Sequence, residues 1–284
     1  MSNIKIKKIQ NKLKEKNINT LIINRTDEFL NEYISEDSER LLWATDFSGS
    51  AGRAIVSQNA ATLFVDGRYT FQAKEQLDTS QISIEHLNDF SKKLSGNFIK
   101  NECIAIDPRL HSIEETLKYV DLSVKSETKL YFTEDNLIDE LWDNKPIRNY
   151  GLVFDHPKNF AGIESSKKLE HVIETLDKNN LGAYFLSSLD SIAWLLNLRG
   201  SDILNTPLAF AFLLISLDDK PVLYVKIDMV EPLLKARLAK YINIEPIEKI
   251  KEVFNDLNHQ TKIGFDFKNS SYFFYDLAIK KNCV

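Results

Sequence analysis

The sequence predicts an α/β fold built twice, in two similar halves. Each half reads as a helix, a strand, a corner rich in small residues, a strand pair, a helix and a further strand. The corners contain two similar segments, "WATDFSGS" from Trp43 and "WLLNLRGS" from Trp194, with Trp, Gly and the final Ser at matching positions. Because 284 residues exceed the usual size of one core, we expect two domains, each a mixed sheet covered by helices.

Constant spacing between matching residues supports a duplication. Trp43 and Trp194 are 151 positions apart, whereas Asp107 of "IAID" and Asp266 of "IGFD" are 159 positions apart. One insertion of about eight residues, placed around "DILNTPLAF", reconciles the two spacings. Repetition of one fold unit along a chain is typical of internal duplication.

The boundary between the halves is predicted in "VFDHPKNFAG", where Pro157 and Gly162 punctuate a loop. This places the first domain at residues 1–160 and the second at residues 161–284. The first half closes with "LSVKSETKLYFTEDNLIDELWD", which has no counterpart before Val284. We therefore expect the second domain to be incomplete at its C-terminus.

The first half begins with a helix, because Ile6, Ile9 and Leu13 recur at helical spacing. "INTLIIN" suits a buried strand, and the apolar run in "LLWATDF" also looks strand-like. "RAIVS" and "ATLFVD" flank Gln58 and Asn59, which predicts a hairpin.

Two capping signals predict helix starts later in the first half. Asp66 can accept a hydrogen bond from a free backbone N–H and begin the helix in "GRYTFQAKEQL". "ISIEHL" and "ECIAID" are strands with a helix near residues 90–98 between them. The run S-I-E-E at Ser112 predicts a capping box completed by Glu115.

The second half repeats these elements in the same order. The strand "GAYFLS", the pair "AFLLIS" and "PVLYVK", a helix near residues 230–238 and the strand "KIGFD" follow an amphipathic helix, "SSKKLEHVIETLDKNN". That helix places four apolar residues on one face: Leu169, Val172, Ile173 and Leu176.

Composition excludes several classes of protein. A net charge of −5 without a long basic run argues against a nucleic-acid surface. No apolar run reaches the roughly 18 residues of a membrane span, and the basic N-terminus lacks the apolar centre of a signal peptide. We therefore expect a soluble, cytoplasmic protein. Cys103 and Cys283 are too few for a disulfide framework or a zinc site, and we interpret them as incidental thiols.

Metal ligands and nucleophiles are not apparent from the motifs. His171 and Glu174 lie one helical turn apart, which we interpret as a solvated face. "FSGSAG" matches neither the G-x-S-x-G elbow nor a dinucleotide loop, and predicts a tight turn between strands. The histidines show no metal-binding spacing; they are His86, His111, His156, His171 and His259.

Arg53 is the candidate binding residue. It follows the glycine turn at the start of a strand, where its rigid donors can reach a carboxylate. The alternative is a surface ion pair of little energetic value. In the second half, Arg199 and Asp202 could pair with each other or across a domain interface.

Three segments together carry a family resemblance: "RTDEFLNEYISEDSERLLWATDFSGSAGRAIV", "LFVDGRYTFQA" and "LDSIAWLLNLRGSDILNTPLAF". They resemble the amino-terminal region of Xaa-Pro aminopeptidase (aminopeptidase P) in its long, three-domain form. The resemblance covers nearly the whole chain. It implies an α/β fold of two duplicated creatinase amino-terminal-like domains, each a mixed sheet flanked by helices, with the catalytic pita-bread domain absent.

The resemblance also implies where the chemistry lies. The family's pita-bread domain holds two Mn or Zn ions with two Asp, one His and two Glu, and these ions activate a water for peptide hydrolysis. We therefore expect no catalytic residue and no metal ligand in this chain. Asp78 and Asp89 reproduce the spacing of the first two ligands, but the segment contains no glycine and no His-Glu-Glu set follows. We interpret that match as accidental.

Two hypotheses of function follow from the resemblance. The first is the non-catalytic amino-terminal portion of a metal-dependent enzyme that removes the first residue from peptides with proline second. Its domains would serve dimerisation and access to the active site, with Arg53 reaching substrate in trans within a homodimer, although some relatives have threonine there. The second is a stand-alone binding or assembly module of the same fold. In both cases the chain alone is predicted to be inactive.

Overall fold

The computed structural model describes residues 2–283, which form two compact units. The first unit comprises Met1–Glu28 and Glu32–Ile147, and the second comprises Phe29–Asn31 and Arg148–Val284. Each unit is a mixed sheet flanked by helices, which confirms the predicted α/β class. The domain boundary expected between residues 160 and 161 stays a prediction.

The first unit alternates helices and strands around one six-stranded sheet. Its elements are α1 (Ser2–Glu15), β1 (Thr20–Asn24), α2 (Arg40–Thr45), β2 (Gly52–Ser57), β3 (Ala61–Val65), α3 (Thr70–Gln76), β4 (Ser83–His86), α4 (Phe90–Ser95), β5 (Cys103–Ile106), α5 (Ile113–Ser126) and β6 (Lys129–Phe132).

The second unit repeats this order around a five-stranded sheet with three differences. An additional strand and a short helix precede it, a further short strand follows its corner helix, and a 3-10 segment (Ile247–Glu252) stands in place of α4. Its elements are β7 (Val153–Asp155), α6 (Lys158–Ala161), α7 (Ser165–Lys178), β8 (Ala183–Leu186), α8 (Leu189–Leu196), β9 (Leu198–Gly200), β10 (Ala211–Ser216), β11 (Val222–Val225), α9 (Pro232–Leu238), β12 (Asn243–Pro246), β13 (Ile263–Phe265) and α10 (Tyr272–Lys280).

The two sheets share one strand order. The first is β4-β3-β2-β1-β5-β6, in which β3, β2 and β1 are antiparallel neighbours and the outer pairings are parallel. The second, β12-β11-β10-β8-β13, repeats the first five positions with the same directions. β7 and β9 form a separate antiparallel pair. The structure therefore confirms the duplication.

The register of the strands fixes which residues correspond. Thr20 of β1 pairs with Ser57, and its counterpart Ala183 of β8 pairs with Ser216, so β2 and β10 are offset by 159 positions. The two tryptophans are offset by 151. The eight additional residues therefore lie between α8 and β10, as the sequence predicts for "DILNTPLAF".

The run "LLWATDF" is a helix, so the predicted strand is wrong. Asp46 caps the C-terminus of α2 with a φ of 66°, in the left-handed region, and Asn197 caps α8 likewise with a φ of 50°. Asp and Asn tolerate this conformation, which closes a helix. A short apolar run does not distinguish a helix from a strand by periodicity. "FSGSAG" consequently joins a helix to a strand, and not two strands as predicted.

The predicted α1 face, the hairpin and the Asp66 cap are confirmed. Ile6, Ile9 and Leu13 are buried on one face of α1, and β2 and β3 form the predicted hairpin. The Asp66 carboxylate accepts from the backbone N–H of Arg68 and caps a 3-10 turn before α3. Among residues 2–283, no helix combines the length and apolar character that a bilayer span requires.

Candidate functional site

A polar cluster lies at the end of β1 and the start of β2 in the first unit. We call it the Arg53 cluster, and its members are Asn24, Arg53, His111, Glu115 and Tyr119. Asn24 ends β1 and stands directly opposite Arg53 of β2. His111 comes just before α5, and Glu115 and Tyr119 follow at successive turns of that helix. Strand register and helical period together bring these side chains to one place.

Arg53 is held by partners on three elements. Its Nε donates to Asn24 Oδ1 at 2.8 Å, and its Nη2 donates to Glu115 Oε1. The guanidinium carbon lies 4.4 Å from the centroid of the Phe90 ring, a favourable cation–π distance. A guanidinium has five N–H donors, and the Arg53 side chain remains 25% exposed. The guanidinium is therefore fixed in position and partly accessible to solvent.

Glu115 is the anion at the centre of the cluster. It accepts hydrogen bonds from Arg53, from His111 Nδ1 at 3.0 Å and from Tyr119 Oη at 2.7 Å. Burial acts to raise the pKa of Glu115, but His111 and Arg53 outweigh it and hold the pKa far below its ordinary value. Burial and the neighbouring Glu115 charge both raise the pKa of the Tyr119 phenol. Glu115 is thus a carboxylate and Tyr119 a neutral donor.

The charge on Glu115 decides the hydrogen positions around His111. A carboxylate accepts only, so His111 Nδ1 carries the hydrogen that it donates to Glu115. Asn24 Nδ2 lies 3.1 Å from the same Nδ1, but it donates to the carbonyl of Leu110 at 3.0 Å. Asn24 Oδ1 is then free to accept from Arg53, which fixes the orientation of the amide.

Only the serine half of the predicted capping box forms among the described residues. Ser112 Oγ accepts from the backbone N–H of Glu115 at 3.2 Å and begins α5 as predicted. The Glu115 carboxylate points instead to the Arg53 cluster, where a guanidinium and an imidazole are stronger partners than a backbone N–H.

The second unit provides an internal comparison for this cluster. Strand register and the start of the last helix identify the counterparts in the second unit. In the order in which the cluster was defined, from Asn24 to Tyr119, they are Ser187, Phe212, Ser270, Phe274 and Ala278. The rings of Phe212 and Phe274, which replace the ion pair, pack 5.0 Å apart between centroids. The same fold position therefore accepts an apolar core, and replacing a buried ion pair by apolar side chains is often neutral or stabilising. The fold alone does not require the charges of the Arg53 cluster.

Arg199 and Asp202 do not pair with each other, so that predicted alternative is wrong. Arg199 donates to the carbonyls of Ala193 and Leu198 at 3.2 and 2.7 Å. Asp202 accepts from the backbone N–H groups of Gly151 and Phe210. Burial raises the pKa of Asp202 although those two N–H groups act to lower it. Both side chains serve the local backbone of the second unit.

The remaining sequence candidates have ordinary surroundings. Cys103 and Cys283 are free thiols, and burial raises the pKa of Cys103. His171 and Glu174 lie on the exposed face of α7, as predicted. Asp78 Oδ1 accepts from the backbone N–H of Ser80 at 3.1 Å. Within residues 2–283, no group of three or more His, Cys, Asp or Glu side chains is arranged to hold a metal ion.

Sequence comparison assigns the family. Models of the creatinase/prolidase N-terminal domain match residues 5–129 and residues 144–284. The chain therefore belongs to the creatinase/prolidase N-terminal domain family and contains that domain twice.

Curated relatives confirm the more specific resemblance. The chain is 31% identical over 243 residues to a probable Xaa-Pro aminopeptidase P of Talaromyces marneffei, a match that covers 84% of this chain and 37% of the relative. It is 32% identical over 257 residues to that of Neosartorya fischeri, covering 87% and 38% respectively. The chain thus spans less than half the length of these relatives.

A solved structure shows the same fold. It is described as X-prolyl aminopeptidase from Caenorhabditis elegans, a cytosolic enzyme with a di-nuclear active site. It superposes with a TM-score of 0.90 at 22% identity, covering 100% of this chain and 50% of that one. At this identity the likeness establishes the fold, and it agrees with the predicted pair of creatinase-type domains.

The sequence motifs identify Arg53 but not the residues that hold it. They present His111 only as a histidine without metal-binding spacing, and Glu115 only as a capping residue. A signal was nevertheless present, because His111, Glu115 and Tyr119 are spaced four residues apart. Polar residues at that spacing share a helix face, and the strand-end Asn24 opposite Arg53 completes the pattern.

The pKa of Glu115 predicts how stability depends on pH. The unfolded chain takes up a proton near the ordinary value of 4.5, whereas folded Glu115 stays ionised. The contribution of ionised Glu115 to the free energy of unfolding is therefore complete above that pH and is lost as the pH falls. We expect Glu115→Gln to destabilise the first unit at pH 7 and to differ less from the unchanged protein at pH 3. Urea unfolding, monitored through hydrogen exchange of the β1 and β2 amides, measures the free energy of unfolding at each pH.

Glu114→Gln is the matched control for this prediction. Glu114 lies on the same helix but pairs at the surface with Lys118, at 2.9 Å. Its variant should follow the unchanged protein at both pH values. A constant stability difference between Glu115→Gln and the unchanged protein from pH 7 to pH 3 would contradict the assigned charge.

Proposed function

We propose that this chain is the amino-terminal, non-catalytic portion of a metal-dependent Xaa-Pro aminopeptidase, which removes the first residue from peptides with proline second. Three observations support the proposal: the names of the curated relatives, the agreement in fold over the whole chain, and the share of those relatives that the chain spans. The C. elegans protein is described as cytosolic, which supports a cytoplasmic location.

The catalytic metals would be held by a domain outside these residues. The described residues offer no suitable ligand set, so they do not fit the pair of Mn or Zn ions expected for the family. When bound in the missing catalytic domain, such a pair supplies hydroxide near neutral pH and stabilises the oxyanion. The two creatinase-type domains would instead serve dimerisation and access to that active site.

Arg53 is the residue of this chain that we assign to substrate binding. In the proposed homodimer, the first unit of one subunit lies beside the active site of the other, and Arg53 approaches the proline-containing peptide in trans. The observation that carries this assignment is the contrast between the units. The first keeps a charged, partly exposed guanidinium where the second packs Phe212 against Phe274. A charge that the fold does not require is available for a ligand.

The first experiment tests where the catalytic machinery lies. Purified 284-residue chain, supplied with Mn²⁺ or Zn²⁺, should release no first residue from an Xaa-Pro peptide, because residues 2–283 offer no cluster of metal ligands. The same chain extended by the codons that follow Val284 in frame should release it, as measured by chromatography of the free amino acid. Metal-dependent turnover by the short chain would refute the proposal.

The DNA beyond Val284 separates the two hypotheses of function. A stop codon directly after Val284, followed by an unrelated gene, would favour a stand-alone binding module.

The second experiment tests Arg53 in the extended, active protein. Arg53→Met should lower kcat/KM by about tenfold or more, since a charged hydrogen bond to a ligand contributes roughly 1.5–3 kcal/mol. Arg68→Met is the control, because Arg68 lies in the same unit but is exposed and pairs with Asp66. Its kcat/KM should be unchanged.

Mixed dimers determine whether Arg53 acts in trans. One subunit carries Arg53→Met with an intact catalytic domain, and the other carries Arg53 with an inactivated catalytic domain. Action in trans predicts that this mixed dimer regains the kcat/KM of the unchanged protein per active site. Activity equal to that of the Arg53→Met homodimer would contradict it.

A further inference from the structure

A small cavity in the first unit contains two buried polar atoms without a protein partner. They are Arg40 Nη1 and Thr133 Oγ1, and neither accepts or donates a hydrogen bond among the described residues. Arg40 is only 3% exposed and Thr133 only 5%. Both residues line the same cavity, together with Asp107 and Asn136. Buried polar atoms are seldom left unpaired, since this costs about 1–3 kcal/mol each.

The rest of the Arg40 guanidinium is fully engaged. Nε and Nη2 donate to the two oxygens of Asp139 at 2.9 Å each, and Nη2 also donates to Glu28 at 3.0 Å. Burial acts to lower the pKa of Arg40, but Asp139 and Glu28 raise it above its ordinary value. The guanidinium is therefore charged, and Nη1 must present its hydrogens to whatever occupies the cavity.

Charge and size select the occupant. An anion would lie close to the carboxylates of Asp107, Asp139 and Glu28. Arg40, Arg109 and Lys145 already balance these three charges. A cation would face the N–H hydrogens of Nη1. The cavity offers about 10 Å³ of space for the centre of a water-sized molecule, close to the minimum that one buried water needs. A neutral molecule of that size that both accepts and donates is required.

We propose that this cavity is a binding site for one structural water, which accepts from Arg40 Nη1 and bonds to Thr133 Oγ1. Arg40 begins α2, and Thr133 follows β6 directly, with its own N–H bonded to the carbonyl of Ile106 at 3.0 Å. The water thus joins the start of α2 to the end of β6, two segments that are 93 positions apart. Buried waters of this kind are integral to a fold and costly to remove.

A high-resolution crystal structure of the 284-residue chain tests the site directly. We expect one fully occupied water within about 2.7–3.2 Å of both atoms. In solution, the Arg40 Nη1 hydrogens should show a cross-relaxation peak to a long-lived water. A cavity without electron density overturns the proposal. So does an anion, recognised by anomalous scattering after a bromide soak.

Variants of Thr133 separate the water from simple packing. Thr133→Ser keeps the hydroxyl and should keep the water, whereas Thr133→Val should lose the cross-relaxation peak and unfold at lower urea concentration. Thr116→Val is the control, because Thr116 Oγ1 is also buried and unpartnered, at 0% exposure, but does not line this cavity. It should leave the peak unchanged. A peak that persists in Thr133→Val, or disappears in Thr133→Ser, contradicts the bridging geometry.

Discussion

The ionised carboxylate of Glu115 is the constraint on which the Arg53 cluster of the first unit depends. It fixes the hydrogen on His111, receives the Tyr119 hydroxyl and holds the Arg53 guanidinium against Phe90. Each of these contacts compensates for taking a charge out of water, a cost that is large when any partner is missing. The two strand ends and the first turns of α5 are therefore tied together by one anion.

Because the fold unit is duplicated, the Arg53 cluster can be compared with the same position of the second unit in one chain. Both units share the order of five strands. Each also has a left-handed Asp or Asn after its corner helix and a serine before its last helix. They differ at the end of the sheet, where one unit has a charged cluster and the other an aromatic core. Since sheet topology and local caps are common to both units, this topology forms with either set of side chains.

Much of the fold could be predicted from the sequence because its signals are local. The α1 face, the hairpin and the serine cap of α5 each depend on residues within a few positions of one another. The eight-residue insertion was also recoverable, since it only requires counting. The helix in "LLWATDF" was missed because its closing signal, Asp46 in the left-handed conformation, is not specific in sequence. The partners of Arg53 were missed because Asn24 and Glu115 are far away in the chain, and only the register brings them together.

A double-mutant cycle tests most directly whether the charges of the Arg53 cluster are dispensable for the fold. Arg53→Met and Glu115→Met are made singly and together, and the free energy of unfolding of the first unit is measured by hydrogen exchange. Each single variant should lose about 2 kcal/mol, because it leaves one partner uncompensated. The double variant should retain most of the original stability, as the apolar second unit implies. A double variant that loses as much as the two single variants combined would contradict this account.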